Sequence, residues 1–266
     1  MDNTQKSYKK IITYLAFTFG LSSIFYYLII SAGSLEAKGG LYVICLMWCP
    51  GISAIITQLI YQKSLKGLGW KWGKTKYQLI SYFLPILYAL MAYSLIWITG
   101  LGKFNGFIPS NLFSFIVLGT LMSCFTALGE EIGWRGFLVP ELAKITTYTK
   151  LSLISGVIWA VYHIPVLIFA DYNSGTPWWF GLGCFTILAM GASFIFAWLR
   201  LRSGSVWTAM FLHASHNLYI QGYFDQATAD TGVTAYISSE FGIALALVVS
   251  FVAYIFWRKR NELTLA

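Results

Sequence analysis

Glu130, Glu131, Arg135, His163, His213, His216 and Asn217 are ionisable or amide residues set inside otherwise apolar stretches, and they include every histidine of the 266-residue chain. Carboxylates and imidazoles are the side chains that move protons near neutral pH. Spacing suggests how they could act together, because residues four apart differ by only about 40° around a helix. Glu131 and Arg135 therefore share a face and can pair, while Glu130, turned by about 100°, can look into a cavity. Trp159 and His163 share a face, as do His213 and Asn217, and His216 lies about 60° to the other side of His213. Taken singly, Glu131 with Arg135 could be a structural ion pair, His216 a satisfied bundle histidine, and Asn217 an inter-helical hydrogen-bonding residue.

The elements that must carry these residues are transmembrane helices. The chain is 58% hydrophobic and only 11% charged, with mean hydropathy +0.67, whereas soluble domains carry about 25% charged residues. A hydrocarbon core needs about 20 apolar residues per helix, and its lack of water requires each backbone to satisfy its own hydrogen bonds. Apolar runs at about 11–32, 41–61, 77–100, 111–138, 151–171, 178–199, 204–223 and 239–257 predict an all-α polytopic bundle of about eight helices. A single transmembrane domain over 1–266 is expected, with a first span that is not a cleaved signal sequence.

Basic residues set the orientation. Alternation places Lys6, Lys9, Lys10, Lys63, Lys66, Lys71, Lys74, Lys76, Lys144, Lys150, Arg200, Arg202, Arg258, Lys259 and Arg260 on one side, and Lys38 and Lys103 on the other. The positive-inside rule then predicts both termini in the cytoplasm. The net charge of +8 reflects this topology rather than nucleic-acid binding. Cys45, Cys49, Cys124 and Cys184 lie in apolar runs without C-x-x-C spacing and read as core residues. The Lys- and Trp-containing segment KSLKGLGWKWGKTKY reads equally as a headgroup-layer segment or an ordinary loop.

Counting 1.5 Å per residue from the cytoplasmic helix ends puts Glu130, His163 and His213 at roughly 12 to 18 Å. A shared cytoplasm-facing polar cavity is expected. Buried charge is costly in a bilayer, about 2.5–3.5 kcal/mol for a centred Asp or Arg, so three titratable groups at one depth point to function.

The segments GEEIGWRGFLVPEL, WAVYHIP and FLHASHNL, in this order on separate hydrophobic helices, resemble the E-E-x-x-x-R, [FW]-x-x-x-H and H-x-x-x-N motifs of the CAAX-protease and bacteriocin-processing family, also called Abi. The resemblance covers about 111–223. It implies an intramembrane endopeptidase that cuts membrane-associated peptides or protein tails with water activated by glutamate and histidine. Glu130, Glu131, Arg135, His163, His213 and Asn217 would be its site residues, and His216 matches no required position. Amide hydrolysis needs an activated water, an oxyanion donor and an acid for the leaving amine. A Zn²⁺ held by Glu130, His163 and His213 is the alternative, since two imidazoles and a carboxylate form a catalytic zinc set. The expected partners are a peptide or protein-tail substrate and the lipid bilayer, in a bacterial plasma membrane. A catalytically silent immunity or scaffold protein of the same fold, and a proton-coupled transporter, are the competing functional classes. Substrate identity and oligomeric state are not legible in the chain.

Overall fold

The structure, a computed structural model, describes residues 3–170 and 172–263. It is an all-α polytopic membrane protein. Its helices are α1 (Asn3–Ala32), α2 (Leu41–Gln62), α3 (Thr75–Thr99), α4 (Leu112–Glu131), α5 (Val139–Ala143), α6 (Tyr148–Phe169), α7 (Trp178–Ser203), α8 (Val206–His216), α9 (Thr234–Ile237) and α10 (Ile243–Arg258). Two π-helical segments interrupt this plan: π1 (Ile132–Leu138) joins α4 to α5, and π2 (Asn217–Phe224) continues α8. Among the described residues, six helical stretches are long and apolar enough to cross a membrane. The rods α8–π2 and α10 are apolar but shorter, and with them the eight expected rods are all present. Their outer surfaces carry large apolar side chains such as Ile98, Phe113 and Leu121. A soluble protein would expose few such contiguous patches; lipid covers them here.

Two boundaries near the site differ from the sequence reading. The fourth rod runs on without a break to Ala143, because π1 keeps the backbone hydrogen-bonded where the sequence suggests an end. The last helix starts at Ile243 rather than near 239, since Ser239 takes φ 63° and residues 239–242 form a loop. Position 171, the expected end of the fifth span, lies outside the described residues. A two-residue pairing of β1 (Lys103–Phe104) with β2 (Thr228–Ala229), antiparallel, also ties two connections together.

Both chain ends reach the same face of the bundle. Lys10 of α1 pairs with Glu141 of α5 at 3.0 Å, and the Trp198 indole of α7 donates to the Lys259 carbonyl after α10. Close helix approach is built from glycine. A Cβ on Gly133 would lie 2.6 Å from the Pro50 carbonyl carbon, and one on Gly51 would lie 2.4 Å from the Gly129 carbonyl oxygen. Small residues thus seat α2 directly against the α4–π1 backbone, the packing mode that dispersion favours between helices in lipid. The segment after α2 is a folded loop that packs inward. Leu68 is 1% exposed, Gln58 Nε2 donates to the Lys66 carbonyl, and Trp207 Nε1 donates to the Trp70 carbonyl.

Candidate active site

At the α4–π1 junction, Glu130 and Glu131 are 3% and 0% exposed and do different things. Glu130 Oε2 accepts from two indoles, Trp134 Nε1 at 3.0 Å and Trp159 Nε1 at 3.1 Å. Its Oε1 takes no protein donor among the described residues, and Glu130 lines the central cavity. Glu131 turns away. Its Oε1 accepts from Arg135 Nη1 at 2.8 Å and His213 Nδ1 at 2.9 Å.

Arg135 is 1% exposed, with its guanidinium carbon 4.4 Å from the Trp159 ring centroid and 3.9 Å from that of Phe196. Stacking between two aromatic faces is available to a planar guanidinium and not to an ammonium. The pair with Glu131 uses one prong only: Glu131 Oε2 and Arg135 Nε and Nη2 are buried without a hydrogen-bond partner among the described residues. The α4–π1 helix therefore supplies a cavity-facing carboxylate and, one residue on, a charge pair that anchors it to α6, α7 and α8.

His163 Nδ1 donates to the Trp159 carbonyl at 2.8 Å. That contact selects the tautomer, leaving Nε2 as an acceptor. His213 is fixed by Glu131 through Nδ1, so its Nε2 is again the atom left for other chemistry. Asn217, the first residue of π2, completes the group along one helix face with His213, as the four-residue spacing predicts. Glu130, His163, His213 and Asn217 all line one cavity of about 180 Å³. Its remaining wall is largely apolar, including Leu46, Met47, Val166, Phe185 and Leu188. Asn217 opens a π-helical segment and Glu130 lies two residues before one, a deformation that recurs at functional sites.

His216 is the satisfied bundle histidine that the sequence suggests, though its partners were not visible there. His216 is held at both nitrogens, by Tyr88 Oη at 2.5 Å and by Glu240 Oε1 at 2.7 Å. It is a satisfied histidine, and it also lines the cavity. Glu240 Oε2 accepts from Tyr172 Oη at 3.0 Å. Glu240 gave no sequence signal, since its partner lies on another helix, whereas Trp134 stands four residues from Glu130 and was readable as a same-face donor. The cavity's rim includes Leu35, Val43, Tyr172, Gln221 and Glu240, all on or next to the connections opposite the chain ends. The depths also differ from one another: Glu130 lies thirteen residues from the rod end at Ala143 and His213 only seven from the start of α8 at Val206. His163 lies fifteen residues beyond the start of α6 at Tyr148, about 22 Å.

The donor set was tested for a metal. Among the described residues no three His, Cys, Asp or Glu side chains converge as a metal-binding group. The residues present do not form a zinc set, and no step is derived through one.

The comparison with known sequences falls on the same stretch. The family model for type II CAAX prenyl endopeptidases, Rce1-like, matches residues 111–219. That match covers 109 of the 266 residues, under half of the chain. The match runs from the start of α4 into π2 and includes Glu130, Glu131, Arg135, Trp159, His163, His213 and Asn217. CAAX prenyl protease 2 of Methanococcus maripaludis is 32% identical to this chain over 129 residues, covering 44% of this chain and 46% of that protein. The similarity thus spans under half of that relative's length. The matched segment holds all four side chains singled out around the cavity, Glu130 on α4, His163 on α6, His213 on α8 and Asn217 on π2.

Proposed function

We propose that this protein is an intramembrane endopeptidase that hydrolyses a peptide bond held in the central cavity, with Glu130 as general base. The observation that carries this reading is the Glu130 carboxylate. One oxygen is fixed by two indoles, the other takes no protein donor, and His163 and His213 stand around the same cavity. Water bound between Glu130 Oε1 and His163 Nε2 can donate a hydrogen bond to each acceptor. Its lone pair is then directed at a substrate carbonyl, and Glu130 takes its proton as the new C–O bond forms.

The oxyanion that develops needs donors. Asn217 supplies an amide N–H, and the protonated form of His213, paired with Glu131, donates from Nε2; one such donor contributes about 3 kcal/mol in a dry site. Glu130 then returns its proton to the nitrogen as the C–N bond breaks, so the carboxylate is regenerated and a free amine leaves. Glu131 and Arg135 position His213 and the helix that bears Glu130. The apolar wall accommodates an extended peptide with nonpolar side chains, the kind of segment found in membrane-associated tails. The Rce1-like match supports a CAAX-type substrate as the first to test.

The test is peptide cleavage by the purified, liposome-reconstituted protein, read by product mass. Two peptides of one sequence are offered, one farnesylated on the cysteine of a C-terminal CAAX box and one unmodified. Release of a defined fragment from either establishes the peptidase. Preference for the farnesylated form assigns the CAAX specificity, and no product from either would set the reading aside in favour of a silent protein of this fold.

A further inference from the structure

A second concavity lies on the outer surface of the bundle. It is a groove of about 400 Å³ over α7, between α6 and α10, whose lining includes Leu153, Ile187, Gly191, Phe194, Tyr254 and Trp257. It shares no lining residue with the central cavity. Gly191 contributes no side chain to fill it, and Leu153, Ile187 and Tyr254 are exposed, so the groove opens to lipid. From Ile187 to Phe194 it follows α7 for seven residues, about 10 Å.

The end of the groove nearest the chain ends has a different chemistry. Tyr254 and Trp257 stack with centroids 5.9 Å apart, and the Trp257 indole donates to Thr149 Oγ1 at the start of α6. Such aromatic pairs sit at headgroup level in membrane proteins. Basic side chains surround this pair. Arg258 Nη1 donates to Tyr254 Oη at 3.1 Å, and the Arg260 guanidinium carbon lies 3.9 Å from the Trp257 centroid. Lys150 is exposed and precedes Leu153 by three residues, which puts it on the same side of α6. Among the described residues no carboxylate pairs with Arg258, Arg260 or Lys150, and Glu262 faces Arg202 at 3.9 Å instead. Each of the two arginines uses one Nη1 donor on the protein, which leaves the rest of the guanidinium fork for an anion.

Uncompensated cations at headgroup level, closing an apolar groove between helices, fit an anionic phospholipid. A zwitterionic lipid carries its own cation beside the phosphate and gains less from them. We propose that this groove binds one anionic phospholipid, with an acyl chain over Gly191 and the phosphate held by Arg258 and Arg260 next to Lys150. Bound there, the lipid bridges α10 to α6 across α7 and stabilises the folded bundle.

Binding is measured on the purified, delipidated full-length protein by native mass spectrometry and thermal unfolding, with phosphatidylglycerol and phosphatidylcholine of identical dioleoyl chains. One phosphatidylglycerol should bind at least about tenfold more tightly than phosphatidylcholine and should raise the melting temperature more at equal concentration. Arg258→Gln with Arg260→Gln should abolish that preference. Lys71→Gln with Lys74→Gln removes two charges from the loop after α2 and should leave it intact. Ile187→Trp, at an exposed position, fills the groove and should weaken binding of both lipids. Equal affinity for the two lipids in the unaltered protein overturns the proposal. So does a preference that survives loss of both arginines, or binding that Ile187→Trp leaves unchanged. A dimer that Ile187→Trp dissociates would also overturn it, giving the groove to a second copy of the chain. No readout here requires turnover, so the result stands apart from that of the peptidase assay.

Discussion

Removing the Arg135 side chain leaves Glu131 buried with His213 as its remaining partner. Arg135 and Glu131 are 1% and 0% exposed and joined at 2.8 Å, and breaking such a pair from one side costs about 3–5 kcal/mol. The guanidinium also sits 4.4 Å and 3.9 Å from the Trp159 and Phe196 centroids, contacts that reach about 2 kcal/mol when desolvated. Arg135→Ala should lower the melting temperature by roughly 10 °C, taking about 2–4 °C per kcal/mol for a chain near this size. Arg135→Lys keeps the charge and loses the stacked plane, so an intermediate loss is expected. Glu131→Gln with Arg135→Met leaves no uncompensated charge and keeps an acceptor for His213 Nδ1, and it should recover much of the stability without recovering turnover. The assay is thermal unfolding of these proteins in one detergent, with the single variants Glu131→Gln and Arg135→Met closing the cycle. Contacting residues in one network couple by about 0.5–3 kcal/mol. Strictly additive losses would show that the two side chains do not act as a unit and would refute their assignment as the positioning pair.

Three further outcomes follow from the geometry. His216→Ala should retain most peptidase activity while losing on the order of 3 kcal/mol of stability, because Glu240 is left buried with its Tyr172 bond; unfolding and turnover measured on one preparation check this. Gly133→Ala should cost about 1–3 kcal/mol by forcing Pro50 of α2 off π1, whereas Gly183→Ala, with open space around its Cβ position, should be neutral; their melting temperatures decide it. Burial, opposed by a hydrogen bond from Tyr93, pushes the Asp225 carboxyl from its ordinary 3.8 up to about 7. The folded protein therefore holds this proton where the unfolded chain has lost it. Stability should fall as pH rises from about 4 through about 7 and level off above, and Asp225→Asn should flatten that slope, as read from unfolding against pH.

The helices were legible because lipid imposes a length and a composition on every span, and because the alternation of Lys and Arg checks the count. The Glu131–Arg135 pair and the His213–Asn217 face were legible because they are local, one helical turn apart. What depended on distant packing was not. The two-indole clamp joins Trp134 on the Glu130 helix to Trp159 on another, and only the nearer half has a spacing signal. The Glu131–His213 bond joins α4 to α8, and the His216–Glu240–Tyr172 group joins α8 to two connections. The guanidinium stacking on Trp159 and Phe196 had no spacing signal either, because the two rings come from α6 and α7. The depth of Glu130 was misjudged for a related reason: π1 carries the fourth rod five residues beyond its apparent end, to Ala143.

The most direct measurement is turnover by Glu130→Gln against the unaltered protein, in the same liposomes and with the same peptide, alongside their melting temperatures. Glutamine keeps the acceptor oxygen for the Trp134 and Trp159 indoles but cannot take a proton from water. The account predicts a melting temperature within about 2 °C of the unaltered protein and a rate lower by at least about a thousandfold, within the range of general-base and associated electrostatic contributions. Cleavage by Glu130→Gln at more than a tenth of the original rate would contradict the assignment of Glu130 as the base.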